Sequence, residues 1–146
     1  MTTPELTEPL LEGLYTAVEG DTDITNLLGT FESGFSIHTR RPIPAKADYP
    51  MIVIGPMLAR GDADELSTAR PIPIIDISVM GNQDQDYRAV EKLADLVFQK
   101  FHRTRAFTVS GYSLIQSRAS GPVPIPSDDS KVGRRVPLTI ELRAET

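Results

Sequence analysis

Two histidines, His38 and His102, are the side chains of this chain whose unperturbed titration falls near neutral pH. A catalytic base needs a nucleophile or an orienting group at a recognisable spacing, and a metal ligand needs companions. Neither histidine has a motif partner. His38 falls in a segment read as irregular. His102 falls at the end of a helical pattern, where a cation suits the helix dipole. Asp62-Ala63-Asp64 and Asp84-Gln85-Asp86 resemble fragments of calcium loops. The further ligands and the terminal glutamate of a helix–loop–helix calcium site are missing, so they read as turn residues and helix caps. The chain has no Gly-x-Ser-x-Gly sequence, no Gly-x-x-x-x-Gly-Lys phosphate loop and no Gly-x-Gly-x-x-Gly turn. Arg60-Gly61-Asp62 matches an adhesion triplet that arises often by chance, and it reads as a solvated turn. Arg103, Arg105, Arg134 and Arg135 form either a small basic patch or scattered surface charge. The residues therefore point to no enzyme, with no catalytic residue, no metal and no cofactor.

The elements around these residues read more clearly. The strongest unit runs from Pro71 to His102. Ile75, Ile77 and Val79 share one face of a strand, with Asp76 and Ser78 on the other. Gly81-Asn82 breaks the strand, and Asp84 or Asp86 is placed to cap the helix that follows. In that helix Tyr87, Val90, Ala94, Val97, Phe98 and Phe101 form an apolar stripe, with Leu93 on its flank. The aromatics on this stripe read as packing rather than as a base-stacking platform.

Upstream, Thr3 or Thr7 caps a helix carrying Leu6, Leu10, Leu11, Leu14, Ala17 and Val18. Asp21-Thr22-Asp23 caps a second, short helix with Ile24, Leu27 and Leu28, stopped at Gly29. Thr30 to Tyr49 is largely irregular, with a short strand at Phe35, Ile37 and His38. Met51 to Leu58 is apolar on both faces, as in a central or helix-covered strand. Arg60 to Glu65 is the tip of a hairpin with arms 51–59 and 67–80. Phe107 to Ile115 is a third strand. Arg118 to Val132 is a loop rich in Pro, Ser and Asp, and a loop of that length is commonly functional. On the last strand Val136, Leu138, Ile140, Leu142 and Ala144 face one way, and Arg135, Thr139, Glu141 and Arg143 the other. It is expected to pair antiparallel with 106–117 and, with the long hairpin, to supply the sheet edges. The expected architecture is one α+β domain over 1–146. Its sheet is mainly antiparallel, of about four to five strands, with helices on one face and the core at Val90, Val97, Phe98, Phe101, Ile75, Ile77, Leu138 and Ile140.

Composition bounds the partners. A chain of 146 residues buries roughly 70% of its unfolded surface, enough for a core of its own. The absence of cysteine removes disulfides and thiolate metal sites. A net charge of −5 disfavours general binding to nucleic acid or to an anionic membrane. No apolar run approaches the ~20 residues needed to span a bilayer, and the start Met1-Thr2-Thr3-Pro4-Glu5 is unlike a signal peptide.

The order of segments carries a resemblance. Leu10-Leu11-Glu12-Gly13-Leu14 leads to Asp21-Thr22-Asp23-Ile24-Thr25-Asn26-Leu27-Leu28-Gly29. Ala47-Asp48-Tyr49-Pro50-Met51-Ile52-Val53-Ile54-Gly55 follows, then the polar hairpin, the strand at Ile74–Val79, and a helix with Ala94-Asp95 and Val97. Over nearly its whole length the chain resembles the tail-terminator and tail-completion family of long-tailed bacteriophages. That family includes the lambda-type terminator and relatives in gene-transfer particles. The loop 118–133 is longer than the family pattern.

The resemblance implies a structural virion protein without catalytic residues. It implies a ring, hexameric in form, that caps the tail tube, stops its polymerisation and offers a head-attachment surface. The implied partners are other copies of the chain, the tail tube protein and a head-side connector or stopper, with genome DNA passing through unread. The implied place is the tail at the head–tail junction, assembled in the host cytoplasm. A head–tail stopper or neck protein, and a small ligand-binding α+β domain or enzyme, are the alternatives. The residues expected to contact a neighbouring copy or another partner are Arg60, Asp62, Asp64, Glu65, Arg118, Asp128, Asp129, Lys131, Arg134 and Arg135. Loops free of core duties are where such contacts concentrate.

Overall fold

A computed structural model describes residues 5–39, 42–63, 68–126 and 130–145. The helices are α1 (Thr7–Glu19), α2 (Thr22–Thr25) and α3 (Gln83–Phe101). The strands are β1 (Thr30–Phe31), β2 (Gly34–Phe35), β3 (Ile37–His38), β4 (Met51–Asp62), β5 (Pro71–Asn82), β6 (Tyr112–Ala119), β7 (Val123–Pro124) and β8 (Lys131–Ala144). The main sheet runs in the order β3-β4-β5-β8-β6, with β7 also paired to β8. Every pairing in it is antiparallel except that of β3 with β4, which is parallel. β1 and β2 make a separate two-stranded hairpin. The fold is α+β, as the patterning predicts.

β8 lies between β5 on one side and β6 and β7 on the other, so the last strand is central and not an edge. Val136, Leu138, Ile140 and Leu142 are buried on its helix-facing side, in phase with Ile75, Ile77 and Val79 of β5 and Ile52 and Ile54 of β4. α1 and α3 cover this face. From α1 come Leu10, Leu14 and Val18, and from α3 come Val90, Leu93, Ala94, Val97 and Phe101. The α3 stripe is centred nearer Leu93 than the spacing implies. Tyr87 therefore turns out to solvent, and Phe98 is only partly buried, stacking on His102 with ring centroids 4.8 Å apart.

Local polar bonds fix the helix starts. Asp21 accepts from the N–H groups of Asp23 and Ile24 at 3.0 and 3.3 Å, the geometry of a helix N-cap. Its other oxygen lies 3.2 Å from Lys100 Nζ, tying α2 to the end of α3. Asp86 caps α3 from inside its first turn, accepting the Asn82 N–H at 2.7 Å. The N–H of Gly29 bonds to the Pro50 carbonyl at 2.8 Å, and Asp48 and Thr30 exchange two bonds of 3.0 Å. The Asp21 to Gly29 and Asp48-Tyr49-Pro50 segments are thus junctions that lock the short helix to the start of β4.

Candidate assembly surface

The expected partner-contacting residues separate into groups with different duties. Arg60 and Asp62 lie within β4, not in a turn. Arg60 Nε stands 3.6 Å from Asp62 Oδ1, and both side chains are largely in water. An exposed pair of this kind contributes little to stability. Arg60 also acts at a distance on Tyr112. Burial raises that phenol above its ordinary value, and the Arg60 charge works against the rise. Asp64, Glu65, Asp128 and Asp129 lie outside the described residues.

Lys131, Arg134 and Arg135 belong to β8 and Arg118 to β6, so these four are strand residues rather than loop residues. Successive side chains on a strand alternate between faces. Arg134 therefore points toward α3, where it pairs with Glu91, donates to the Gly133 carbonyl at 2.8 Å and lies 5.8 Å from the centre of the Tyr87 ring. Lys131 donates to Asn82 Oδ1 at 2.6 Å and sits 4.3 Å above the Tyr49 ring. Both cations are internal clamps. Arg135 points to the helix-free face and meets the buried Asp76 carboxylate at 3.5 Å. Arg118, opposite Thr139, opens to the same face and is exposed.

The segment after Arg118 is not a free excursion in its described part. Ser120 N–H bonds to the Pro137 carbonyl at 3.0 Å, and Ile125 N–H to the Gly133 carbonyl at 3.1 Å. Between them β7 pairs Val123 with Arg135. The visible signal was the alternation of Val123 and Ile125 with three prolines, which reads as stiff loop and also as an extended segment able to dock.

His38 is buried in β3, where Nε2 lies 2.9 Å from Ser36 Oγ and the ring edge-packs on Phe31. Burial lowers its pKa from the ordinary value. It borders an open hollow of about 490 Å³ shared with Tyr15, Phe31 and Phe35. Tyr15 is itself raised, first by burial and then by its hydrogen bond to Glu19. His102 stands at the C-terminal cap of α3, where its Nδ1 accepts the Ala119 N–H at 3.2 Å. Among the described residues no three His, Cys, Asp or Glu side chains converge as a metal site, and no helix is long and apolar enough to cross a membrane.

By sequence the chain matches no family profile and no curated protein. By structure it is similar to a chain of a solved particle described as the virion of a native gene transfer agent. The TM-score is 0.71 and the identity 18%, over 94% of this chain and 95% of that one. The two share a fold.

Proposed function

We propose that this chain is a structural virion protein, a tail terminator that assembles as a ring of six and caps the tail tube. The carrying observation is the shared fold with a gene transfer agent virion chain, which spans nearly all of both chains. The order of sequence segments supports the same reading, from the Asp21–Gly29 junction through Asp48-Tyr49-Pro50 to the Ala94-Asp95 helix. The ring stops tube polymerisation and presents a head-attachment surface. Its partners are its own copies, the tail tube protein and a head-side connector, and it works at the head–tail junction without catalysis. A ring of identical subunits uses a heterologous interface, one patch of each copy meeting a different patch of the next. The exposed Arg60–Asp62 ribbon and the Arg118–Arg135 face are two such separate patches. An acidic chain around a conduit keeps passing DNA from adhering.

Electron microscopy of the purified protein and of assembled particles tests this. The expected result is a six-fold ring, free or at the head end of the tube. Particles in which antibody to this chain labels another location, with no ring density at the tube end, would overturn it.

A further inference from the structure

We propose that the outer edge of the sheet at β6 and β7 is built to refuse strand addition, so that other chains meet this side of the protein through side chains alone. Pro122, Pro124 and Pro126 are the blocking residues. This goes beyond the ring reading and does not depend on it.

The phase of the strand carries the inference. Bonded and non-bonded pairs alternate in an antiparallel ladder, and a residue of a non-bonded pair turns its N–H and C=O away from the partner strand. At the end of β6, Ser120 N–H bonds inward to the Pro137 carbonyl at 3.0 Å, and Ala119 turns outward. Beyond the bend, Ile125 N–H bonds inward to the Gly133 carbonyl at 3.1 Å, and Val123 stands opposite Arg135. Val123 and Ile125 are therefore the inward residues, and Pro122, Pro124 and Pro126 the outward ones. Each outward position from 122 to 126 lacks an N–H.

One residue sets that phase. Between Ser120 and Val123 the segment holds one residue more than β8 holds between Pro137 and Arg135, which makes a bulge. Gly121, at φ +80, supplies it. A Cβ there would lie 2.9 Å from the Val123 nitrogen, so the position has no room for a side chain. Without the bulge the three prolines would face β8, and Val123 and Ile125 would offer their N–H groups to solvent. Prolines that served only to stiffen a loop would not need this phase.

The rest of the rim is guarded by other means. On the same edge the Ala119 N–H is held by His102, and the Ser117 carbonyl by the Arg103 N–H at 2.7 Å. On the opposite rim β4 shifts register between Ile54 and Met57 and again between Met57 and Ala59, then runs into the exposed Arg60 and Asp62. Bulges, charge and proline are the devices that keep an edge from recruiting another strand. What β7 leaves open to a partner is side-chain surface, with Val123 37% exposed opposite Arg135.

The test compares the full chain with the double variant Pro124→Thr, Pro126→Thr by sedimentation velocity over a concentration series. Both substitutions restore an outward N–H on a residue that favours strands. The double variant should self-associate about tenfold more tightly than the parent, with an unchanged melting midpoint. The amide gained at position 124 should be protected from hydrogen exchange in the associated form. Pro124→Thr alone should shift association the same way by less. Val123→Thr adds no N–H and should sediment as the parent does. Sedimentation of both proline variants identical to that of the parent, up to millimolar protein, overturns the proposal. So does self-association of Val123→Thr equal to that of the double variant, which would assign the effect to the side chain. Unprotected exchange of the Val123 and Ile125 amides in the parent overturns it too, because the inward bonds would then be absent. Any ring the parent forms is the baseline of every comparison, so failure of the ring reading and failure of this proposal remain distinguishable.

Discussion

The Nδ1 atom of His102 accepts the backbone N–H of Ala119 at 3.2 Å, and the end of α3 thereby covers the outer edge of β6. The neighbouring Arg103 N–H bonds to the Ser117 carbonyl at 2.7 Å, with Arg103 at φ 56 turning the chain into place. His102→Ala removes one of the two closing bonds and the ring that stacks on Phe98. The expected cost is about 1–2 kcal/mol, with faster hydrogen exchange at the Ala119 amide. Unchanged exchange there would show that the imidazole does not close the edge.

Gly13 sits where α1 crosses the segment before β6. A Cβ at this position would lie 2.0 Å from the Thr108 carbonyl oxygen. Two effects oppose each other in Gly13→Ala. Helix propensity favours alanine by about 1 kcal/mol, while overpacking against backbone costs about 1–3 kcal/mol. The contact is with a carbonyl rather than a flexible side chain, so the clash should win. A lowered denaturant midpoint is the expected reading, and a raised one would mean that α1 slides free.

Phe101 and Phe98 show how far periodicity reads a core. Both lie on the apolar stripe, yet Phe101 is fully buried against Phe107 and Phe98 is only partly covered. Phe101→Ala should cost about 3–5 kcal/mol, and Phe98→Ala clearly less, by chemical denaturation of the two variants. Equal losses would contradict the packing. The alternation of β8, the Asp21 cap and the α3 stripe were legible because each rests on neighbours within a few residues. The pairing of β5 with β8 joins residues some 65 positions apart, as in Ile74 with Thr139, and no local pattern encodes it. The same holds for the contact surface. Arg134 and Arg135 are adjacent and alike in sequence. Strand alternation sends one to Glu91 and the other to Asp76.

His38 gives the chain a pH dependence of known sign. Burial lowers its pKa below the ordinary 6.5. At pH values near and below 6.5 the unfolded chain takes up a proton that the folded chain refuses, so ν_U exceeds ν_N and stability rises with pH. The contribution is complete above 6.5 and is lost as pH falls toward and through the folded value. Melting midpoints measured from pH 8 to pH 5 should decline at the acid end. In His38→Asn that decline should be shallower, and parallel profiles for the two proteins would remove the assignment.

Arg118 and Arg134 separate assembly from stability on neighbouring strands. Arg134 is partly buried, pairs with Glu91 and bonds to the Gly133 carbonyl, so its removal strips a carboxylate beside α3 of that partner. Arg134→Ala should lower the midpoint, at a cost of about 1–3 kcal/mol. Arg118 is exposed on the helix-free face, and a surface substitution away from packing usually stays within about 0.5 kcal/mol. Arg118→Ala should therefore leave the midpoint where it is. On the terminator reading its face meets a neighbouring copy or a partner, and a charge at the rim of an interface acts mainly through the association rate and its salt dependence. The yield of head-joined particles should fall in Arg118→Ala, most at low salt where the charge is least screened, while purified protein stays folded. Normal joining at all salt concentrations would exclude Arg118 from the contact. A midpoint that falls with Arg118 as far as with Arg134 would mean that this face is held from within the chain.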